Sequence, residues 1–316
     1  MLDKSFIYKD LNEIPNEFQD CVAILGNFDG VHRGHQMLIN QAKNIANDNK
    51  KPLVVFTFIR HPRLYFDSDK TPFLITSLET KSLYLKALGI KAIIAIDFND
   101  VKNLSANEFI DDVLINKLNV NTVIVGYDFK FGKNRTGDTN LLRQQTNFKT
   151  FIAEAKSDSE GVVFSSTNIR KFIKNGSMQK AAAQLGRPFE INSTVIKGQQ
   201  LGGKIGFPTA NIEFEQDIIR PKYGVYAVNL YIIEQDKWFS GIANFGIRPT
   251  IKDNKEVLEV HLFDFDQNIY GKQVRVAFIE YIRAEQKFEN LDELKKHIAK
   301  DCYFAKQIHK LRFAGG

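Results

Sequence analysis

Directly after an apolar run, Val22 to Leu25, the chain reads Gly26-Asn27-Phe28-Asp29-Gly30-Val31-His32-Arg33-Gly34-His35-Gln36 and passes into a helical pattern. A strand, a glycine-bearing turn and a helix N-terminus form an anion site, because unpaired backbone N–H groups and the helix dipole converge there. Gly26, Asn27 and Phe28 supply the turn, and Gly34 leaves room for a phosphate to approach the backbone. His32 and His35 can each donate a hydrogen bond to charge that builds on a phosphoryl oxygen. The plain alternative is a surface histidine pair at a helix start. A zinc site would need further ligands nearby, and the only cysteines, Cys21 and Cys302, stand almost a chain length apart.

A second constellation lies in the other half. Gly198, Gly202, Gly203 and Gly206 crowd a stretch ending Gly206-Phe207-Pro208-Thr209-Ala210-Asn211. Such glycine density implies a loop that bends tightly or touches a ligand closely, with a mobile hairpin as the alternative. It is not a Walker loop, since no Gly-Lys-Ser/Thr follows at the required spacing. Thr209 and Asn211 share one face of an extended segment and offer neutral oxygens suited to Mg²⁺ carrying nucleotide phosphates. Further on, Leu258-Glu259-Val260-His261-Leu262 alternates, so Glu259 and His261 face away from the three apolar residues. A carboxylate there either faces solvent or takes a proton from an attacking hydroxyl.

These groups need elements to hold them. Short apolar runs (Val22–Leu25, Leu53–Phe58, Ala92–Ile96, Thr122–Val125, Val162–Phe164) alternate with helical stretches at Gln36–Asn47, Leu78–Leu88 and Ala106–Lys117. The last helix opens on a Ser105/Glu108 capping box. The pattern predicts a doubly wound α/β domain with a parallel sheet. Gly186-Arg187-Pro188 breaks a helical stretch where the periodicity becomes alternating, which puts the domain boundary there: residues 1–186 and 187–316. Beyond it, Phe189–Ile196, Gly224–Ile233, Trp238–Asn244, Val257–Phe263 and Gln273–Arg283 predict a small antiparallel barrel, followed by a helix over Leu291–Lys306.

The chain has 316 residues, 43% hydrophobic and 25% charged, with a net charge of +6, which fits a folded protein of two domains and excludes disordered and collagen-like classes. Its lysines and arginines are dispersed, without the clustered cations and interleaved aromatics of a nucleic-acid surface. No apolar run is long enough to span a membrane and nothing points to export. Two distant cysteines suit a reduced, cytoplasmic setting.

The Gly26–Gln36 stretch resembles the signature of the nucleotidyltransferase superfamily, specifically the adenylyltransferase half of bacterial bifunctional riboflavin kinase/FAD synthetases. Gly126-Tyr127-Asp128-Phe129-Lys130-Phe131-Gly132, with Arg135, Gly137 and Asp138, resembles that family's flavin and nucleotide loop, which implies flavin contacts for Asp128 and Phe129. Ser165-Ser166-Thr167-Asn168-Ile169-Arg170, by itself a helix cap, is similar to its second phosphate-binding motif, where Ser165, Ser166, Thr167 and Arg170 would hold the triphosphate. Pro208-Thr209-Ala210-Asn211, Gly246-Ile247-Arg248-Pro249-Thr250, the Glu259 strand and Arg283-Ala284-Glu285-Gln286-Lys287-Phe288 resemble the riboflavin kinase domain. That resemblance implies Mg²⁺ and ATP phosphates at Thr209 and Asn211, with Gly203 and Gly206 on the phosphates. Glu259 would be the base for the ribityl 5′-hydroxyl, and the segment from Arg283 a cover for the isoalloxazine ring.

The expectation is therefore FMN formation from riboflavin and ATP, then FAD formation from FMN and a second ATP, with Mg²⁺. One departure stands out: the family's Phe-Glu-Pro-His-Pro is here Phe58-Ile59-Arg60-His61-Pro62. It leaves open a riboflavin kinase with a weakened adenylyltransferase domain.

Overall fold

The computed structural model describes residues 6–67, 69, 71–198, 203, 206–249 and 254–313. Gly202 and Thr250, named above, lie outside them. The chain forms two compact units, Met1–Ser166 and Thr167–Gly316.

The first unit is built on a parallel sheet of β1 (Ile7–Tyr8), β2 (Val22–Leu25), β3 (Leu53–Phe58), β4 (Ala92–Ile96), β5 (Thr122–Gly126) and β8 (Lys149–Ala153), in the order β1-β4-β3-β2-β5-β8. A side ribbon pairs β6 (Lys130–Phe131) with β7 (Gly137–Asp138). Strands β2 to β5 are nearly continuous apolar runs because both sheet faces are covered. Ala23, Leu25, Val54 and Phe56 pack on one side, and Val22, Ile24, Leu53 and Val55 on the other. From β2 the chain winds outward through β3 and β4, then returns to lay β5 on the opposite side of β2. The strand order therefore reverses between β2 and β5, and ligands of open α/β sheets bind at the carboxyl ends of strands at such a switch point.

Two details differ from the periodicity. The last parallel strand is Lys149–Ala153, whereas Val163 makes only an isolated antiparallel bridge to Ser157. An edge strand that exposes both Lys149 and Phe151 leaves no clean apolar alternation, while Val162-Val163-Phe164 looks apolar without having a sheet neighbour. The helix at Ala106 begins with the Ser105/Glu108 capping box, both bonds present, but Phe109–Lys117 is wound as a π-helix, an uncommon geometry.

The second unit opens with helices Ser166–Lys174 and Met178–Leu185, the latter ending at Gly186 in the left-handed region (φ 77°). The Met178–Leu185 helix packs on β9 (Phe189–Ile196) and β14 (Gln273–Arg283), so this pair of helices clusters with the barrel that follows. With β10 (Ala210–Ile212), β11 (Gly224–Ile232), β12 (Lys237–Pro249) and β13 (Asn254–Leu262), these strands close a barrel in the order β10-β13-β12-β11-β14-β9. All neighbours in it are antiparallel. Tyr226, Phe245, Phe278 and Phe189 are fully buried. Val225, Ala227, Ile242, Ala277 and Ile279 pack instead with Cys302 and Ala305 of the terminal helix Leu291–Phe313, so that helix covers part of the barrel's outer face.

Candidate active sites

The first site is the turn after β2. Gly26 N–H still pairs with the Phe56 carbonyl of β3 (3.1 Å), and the chain then turns through Phe28 (φ 49°), Gly30 (φ 80°) and Val31 (φ 41°). Positive φ at a β-branched residue such as Val31 is strained, and strain of this kind collects at functional sites. It is held from outside. The buried Asp29 carboxylate accepts N–H bonds from Ile75 (2.9 Å) and Thr76 (3.1 Å), and Thr76 Oγ1 accepts from Gly30 N–H (3.0 Å). Asp29 is thus a clasp for the turn.

His32 caps the helix Arg33–Asn49: its Nδ1 accepts from His35 N–H at 3.4 Å. With Nδ1 accepting, the proton of neutral His32 sits on Nε2. The two imidazoles stack, centroids 3.6 Å apart and planes 20° from parallel. Gly34 permits this, since a Cβ there would lie 3.2 Å from the His32 ring and 3.1 Å from Phe164. Burial first, then the neighbouring His32 and Lys81, hold the His35 pKa well below the ordinary histidine value, so His35 is neutral at physiological pH. Its Nδ1 is buried without a hydrogen-bond partner among the described residues. Phe28 is 2% exposed, its ring 5.1 Å from that of His35, so what it offers a ligand is backbone.

Sequence reasoning missed Lys81. It lies on the helix Leu78–Ala87, is only 7% exposed, and its Nζ donates to the Asn27 carbonyl at 2.6 Å. A lysine among polar helix residues looks solvated, and only the fold carries it under the turn.

Ser166 joins the first site, its Oγ donating to the Asp29 carbonyl (2.9 Å). Ser165 precedes it in the first unit, whereas Thr167 and Arg170 continue the same helix in the second unit. In the loop after β5, Asp128 is exposed. Phe129 turns inward, packing on the core and stacking on Phe131 at 5.8 Å. The ring this loop presents to solvent is Tyr127, 55% exposed. After β3, Ile59 N–H extends the ladder to the Ile96 carbonyl (2.9 Å), and His61 Nδ1 accepts from Arg63 N–H (3.1 Å). These bonds hold the altered Ile59-Arg60-His61 stretch in an ordered turn.

The second site is written in barrel register. Asn211 of β10 stands opposite Glu259 of β13, and Glu259 opposite Asn244 of β12. Directly opposed residues share a sheet face, so the three form one row. On β12 Ile242 has the same parity as Asn244 and packs under the terminal helix, which places the row on the barrel's outer face. Asn211 is 3% exposed; a Cβ on Gly198 would lie 2.1 Å from its Nδ2, so Gly198 is the space its amide occupies. His261, one step along the same face, donates from Nδ1 to the Pro208 carbonyl (2.8 Å) and fixes the approach to Thr209. Gly203 and Gly206 are exposed, with nothing near either Cβ position, and Gly206 has φ +90°.

Two further contacts flank this row, and their partners could not be read from the sequence. Asn244 Nδ2 donates to Glu285 Oε1 (3.2 Å), and Gly246 makes room for that carboxylate, since a Cβ there would lie 1.8 Å from it. Arg283 grips the buried Asp301 of the terminal helix through Nε (2.9 and 3.0 Å) and Nη2 (2.6 Å). Its fork is committed to that carboxylate, and its effect on a ligand passes through the segment it anchors.

The sequence profile described as FAD synthetase matches residues 14–168, and that described as riboflavin kinase matches residues 185–309. The bifunctional riboflavin kinase/FMN adenylyltransferase of Haemophilus influenzae is 38% identical over 305 residues, spanning 95% of this chain and 98% of that protein. Its counterpart in Escherichia coli K12 is 37% identical over 96% of each chain. A crystal structure described as a macrolide-efflux protein from Streptococcus pneumoniae superposes with a TM-score of 0.86 at 30% identity, covering 95% of this chain and 98% of that one. Matched along nearly its whole length, with both profiles in order, the chain belongs to the bifunctional riboflavin kinase/FMN adenylyltransferase family.

Proposed function

We propose that the chain catalyses two successive group transfers. The barrel unit moves the γ-phosphoryl group of ATP to the ribityl 5′-hydroxyl of riboflavin, giving FMN, ADP and a proton. The α/β unit moves AMP from a second ATP to the FMN phosphate, giving FAD and pyrophosphate. One observation supports the reading: a switch-point turn leading into a helix and a cross-strand Asn211–Glu259 row occur in one chain, each within the span of its own family profile.

The two steps differ in what they ask of the protein. In the first, an alcohol must lose its proton, and the half-buried Glu259 on the barrel's outer face is the base. In the second the nucleophile is already an ionised phosphate, so alignment and charge neutralisation suffice. Backbone amides of the turn, His32, His35, Ser165 and Ser166 serve that purpose. Asp128 and the loop around Phe129 take the flavin side of the first site, and the segment held by Arg283 covers the flavin of the second.

The donor set of the second site fits Mg²⁺. Thr209 Oγ1 and Asn211 Oδ1 are hard, neutral oxygens two positions apart, a spacing that shares one face of an extended segment, and the absence of a side chain at Gly198 leaves room for the Asn211 amide. Bound there with nucleotide, Mg²⁺ would supply charge neutralisation at the phosphates. Among the described residues no cluster of three or more His, Cys, Asp or Glu could hold a metal, so the remaining ligands would be phosphate oxygens and water. Gly203 and Gly206 let the loop backbone approach those phosphates. We divide the modules at Gly186, where a helix ends in a left-handed cap, and place the protein in the cytoplasm, in keeping with two buried free cysteines. No described helix is long and apolar enough to cross a membrane.

The test supplies FMN, ATP and Mg²⁺ and follows FAD by chromatography. FAD formation supports the full reading; FMN formation from riboflavin without any FAD from FMN would reduce the protein to a kinase with an idle first unit.

A further inference from the structure

The segment Ile75–Lys81 clasps the turn Asn27–Gly30 at three points. Asp29 takes the amides of Ile75 and Thr76, Thr76 Oγ1 takes the amide of Gly30, and Lys81 Nζ donates to the Asn27 carbonyl at 2.6 Å. The first two use neutral donors or a carboxylate filled by amide N–H groups. The third buries a cation against a single neutral carbonyl. Holding that carbonyl does not require charge: Thr57 Oγ1 already reaches it at 3.5 Å, and an uncharged amide would serve as donor. A buried ammonium without a close ionic partner costs folding free energy. The cost is recovered if the charge has work to do beneath an anion-binding turn.

We propose that Lys81 is a positioning residue for the adenylyl-transfer site: its Nζ–H bond holds the Asn27 carbonyl inward, and its ammonium charge lays a cationic floor beneath the turn whose amides face the phosphates of the nucleotide. The inference rests on the adenylyl-transfer reading of the first unit. The groups facing Lys81 electrostatically are Asp29 of the turn and His35 of the neighbouring helix. Burial brings the Lys81 pKa down to about 8, against the attraction of Asp29. Lys81 in turn helps keep His35 neutral. An arriving polyanion restores the proton to any Lys81 that has lost it, so binding above pH 8 takes up a proton. His35, held well below the ordinary histidine value by burial, stays neutral at pH 8.5 and does not compete for that proton.

The test compares Lys81→Met and Lys81→Gln with the wild type. FAD formation from FMN and ATP isolates the first site. Pyrophosphate with Mg²⁺, titrated calorimetrically at pH 8.5 in two buffers of different ionisation enthalpy, reports proton uptake without turnover. Both variants are expected to keep or raise the melting temperature, to raise the KM for ATP about tenfold in FAD formation, and to lose the proton uptake at pH 8.5. Lys81→Gln with wild-type KM and proton uptake would show that the hydrogen bond suffices and overturn the proposal. Lost activity accompanied by a lowered melting temperature in both variants would do so too, by reducing Lys81 to a structural role. A wild type that makes no FAD from FMN would instead overturn the reading on which the proposal rests.

Discussion

Replacing Gly198 by alanine adds one methyl group at a place where the structure has no room for it. The new Cβ would stand 2.1 Å from Asn211 Nδ2, 2.4 Å from Cγ and 2.6 Å from Oδ1. Ordinary contact begins near 3.4 Å, so the amide must retreat by about 1.3 Å. It cannot do so by sliding its backbone, because Asn211 is laddered to Ile196 on one side and to Glu259 on the other. The side chain has to rotate, carrying its amide oxygen out of its present position. A displacement of about 1 Å in a positioning group costs on the order of 10²-fold in rate, while overpacking one methyl group costs the fold about 1–3 kcal/mol. The expected result for Gly198→Ala is thus FMN formation lowered about 100-fold, with a raised KM for ATP, and FAD formation from supplied FMN unchanged. The assay is chromatography of flavins from riboflavin, ATP and Mg²⁺, beside a second reaction started from FMN. Wild-type FMN formation by Gly198→Ala would refute the idea that the glycine protects the Asn211 oxygen.

Other perturbations address other links. Glu259→Gln keeps the shape of the barrel row but removes the base, so FMN formation should fall by about 10²–10⁴-fold while FAD formation from FMN persists; equal loss of both would mean a shared defect. Asp301→Asn leaves Arg283 without its carboxylate in a half-buried pair, which should cost about 3–5 kcal/mol and, by loosening the terminal helix, lower FMN formation; an unchanged melting curve would contradict this. The buried neutral His35 binds a proton more readily unfolded than folded. Its contribution is therefore complete above the unfolded value of about 6.5 and is lost as pH falls below it, by up to about 1.4 kcal/mol per unit. Denaturant melts between pH 7 and 5 should show that slope in the wild type and less of it in His35→Phe.

Strands β2 to β5 were legible because parallel strands covered on both faces become unbroken apolar runs, as in Ala92–Ile96. Edge strands leave no such trace: Lys149-Thr150-Phe151-Ile152 alternates between exposed and part-buried residues, whereas the apolar Val162–Phe164 mimics a strand. The helices before Gly186 could be read as helices, but not which unit they join, since that depends on the barrel surface formed later by β9 and β14. At the sites, motif residues with a fixed local geometry were readable: the His32/His35 turn sits on the switch point, and Asn211 does meet Glu259. Residues that arrive by tertiary register were not. Lys81 reaches Asn27 from a helix fifty-odd positions away, and Glu285, just past the end of β14, meets Asn244 of β12. Phe129 and Tyr127 show the reverse failure, since adjacent aromatics in a loop give no sign of which one turns inward.

The central claim is that one chain performs both transfers in order. Its most direct test is a time course of flavins formed from riboflavin, excess ATP and Mg²⁺ by the purified protein. The account predicts that FMN rises first and then declines as FAD accumulates, one pyrophosphate being released per FAD. FMN that accumulates without FAD, even when fresh ATP and FMN are supplied, would contradict it.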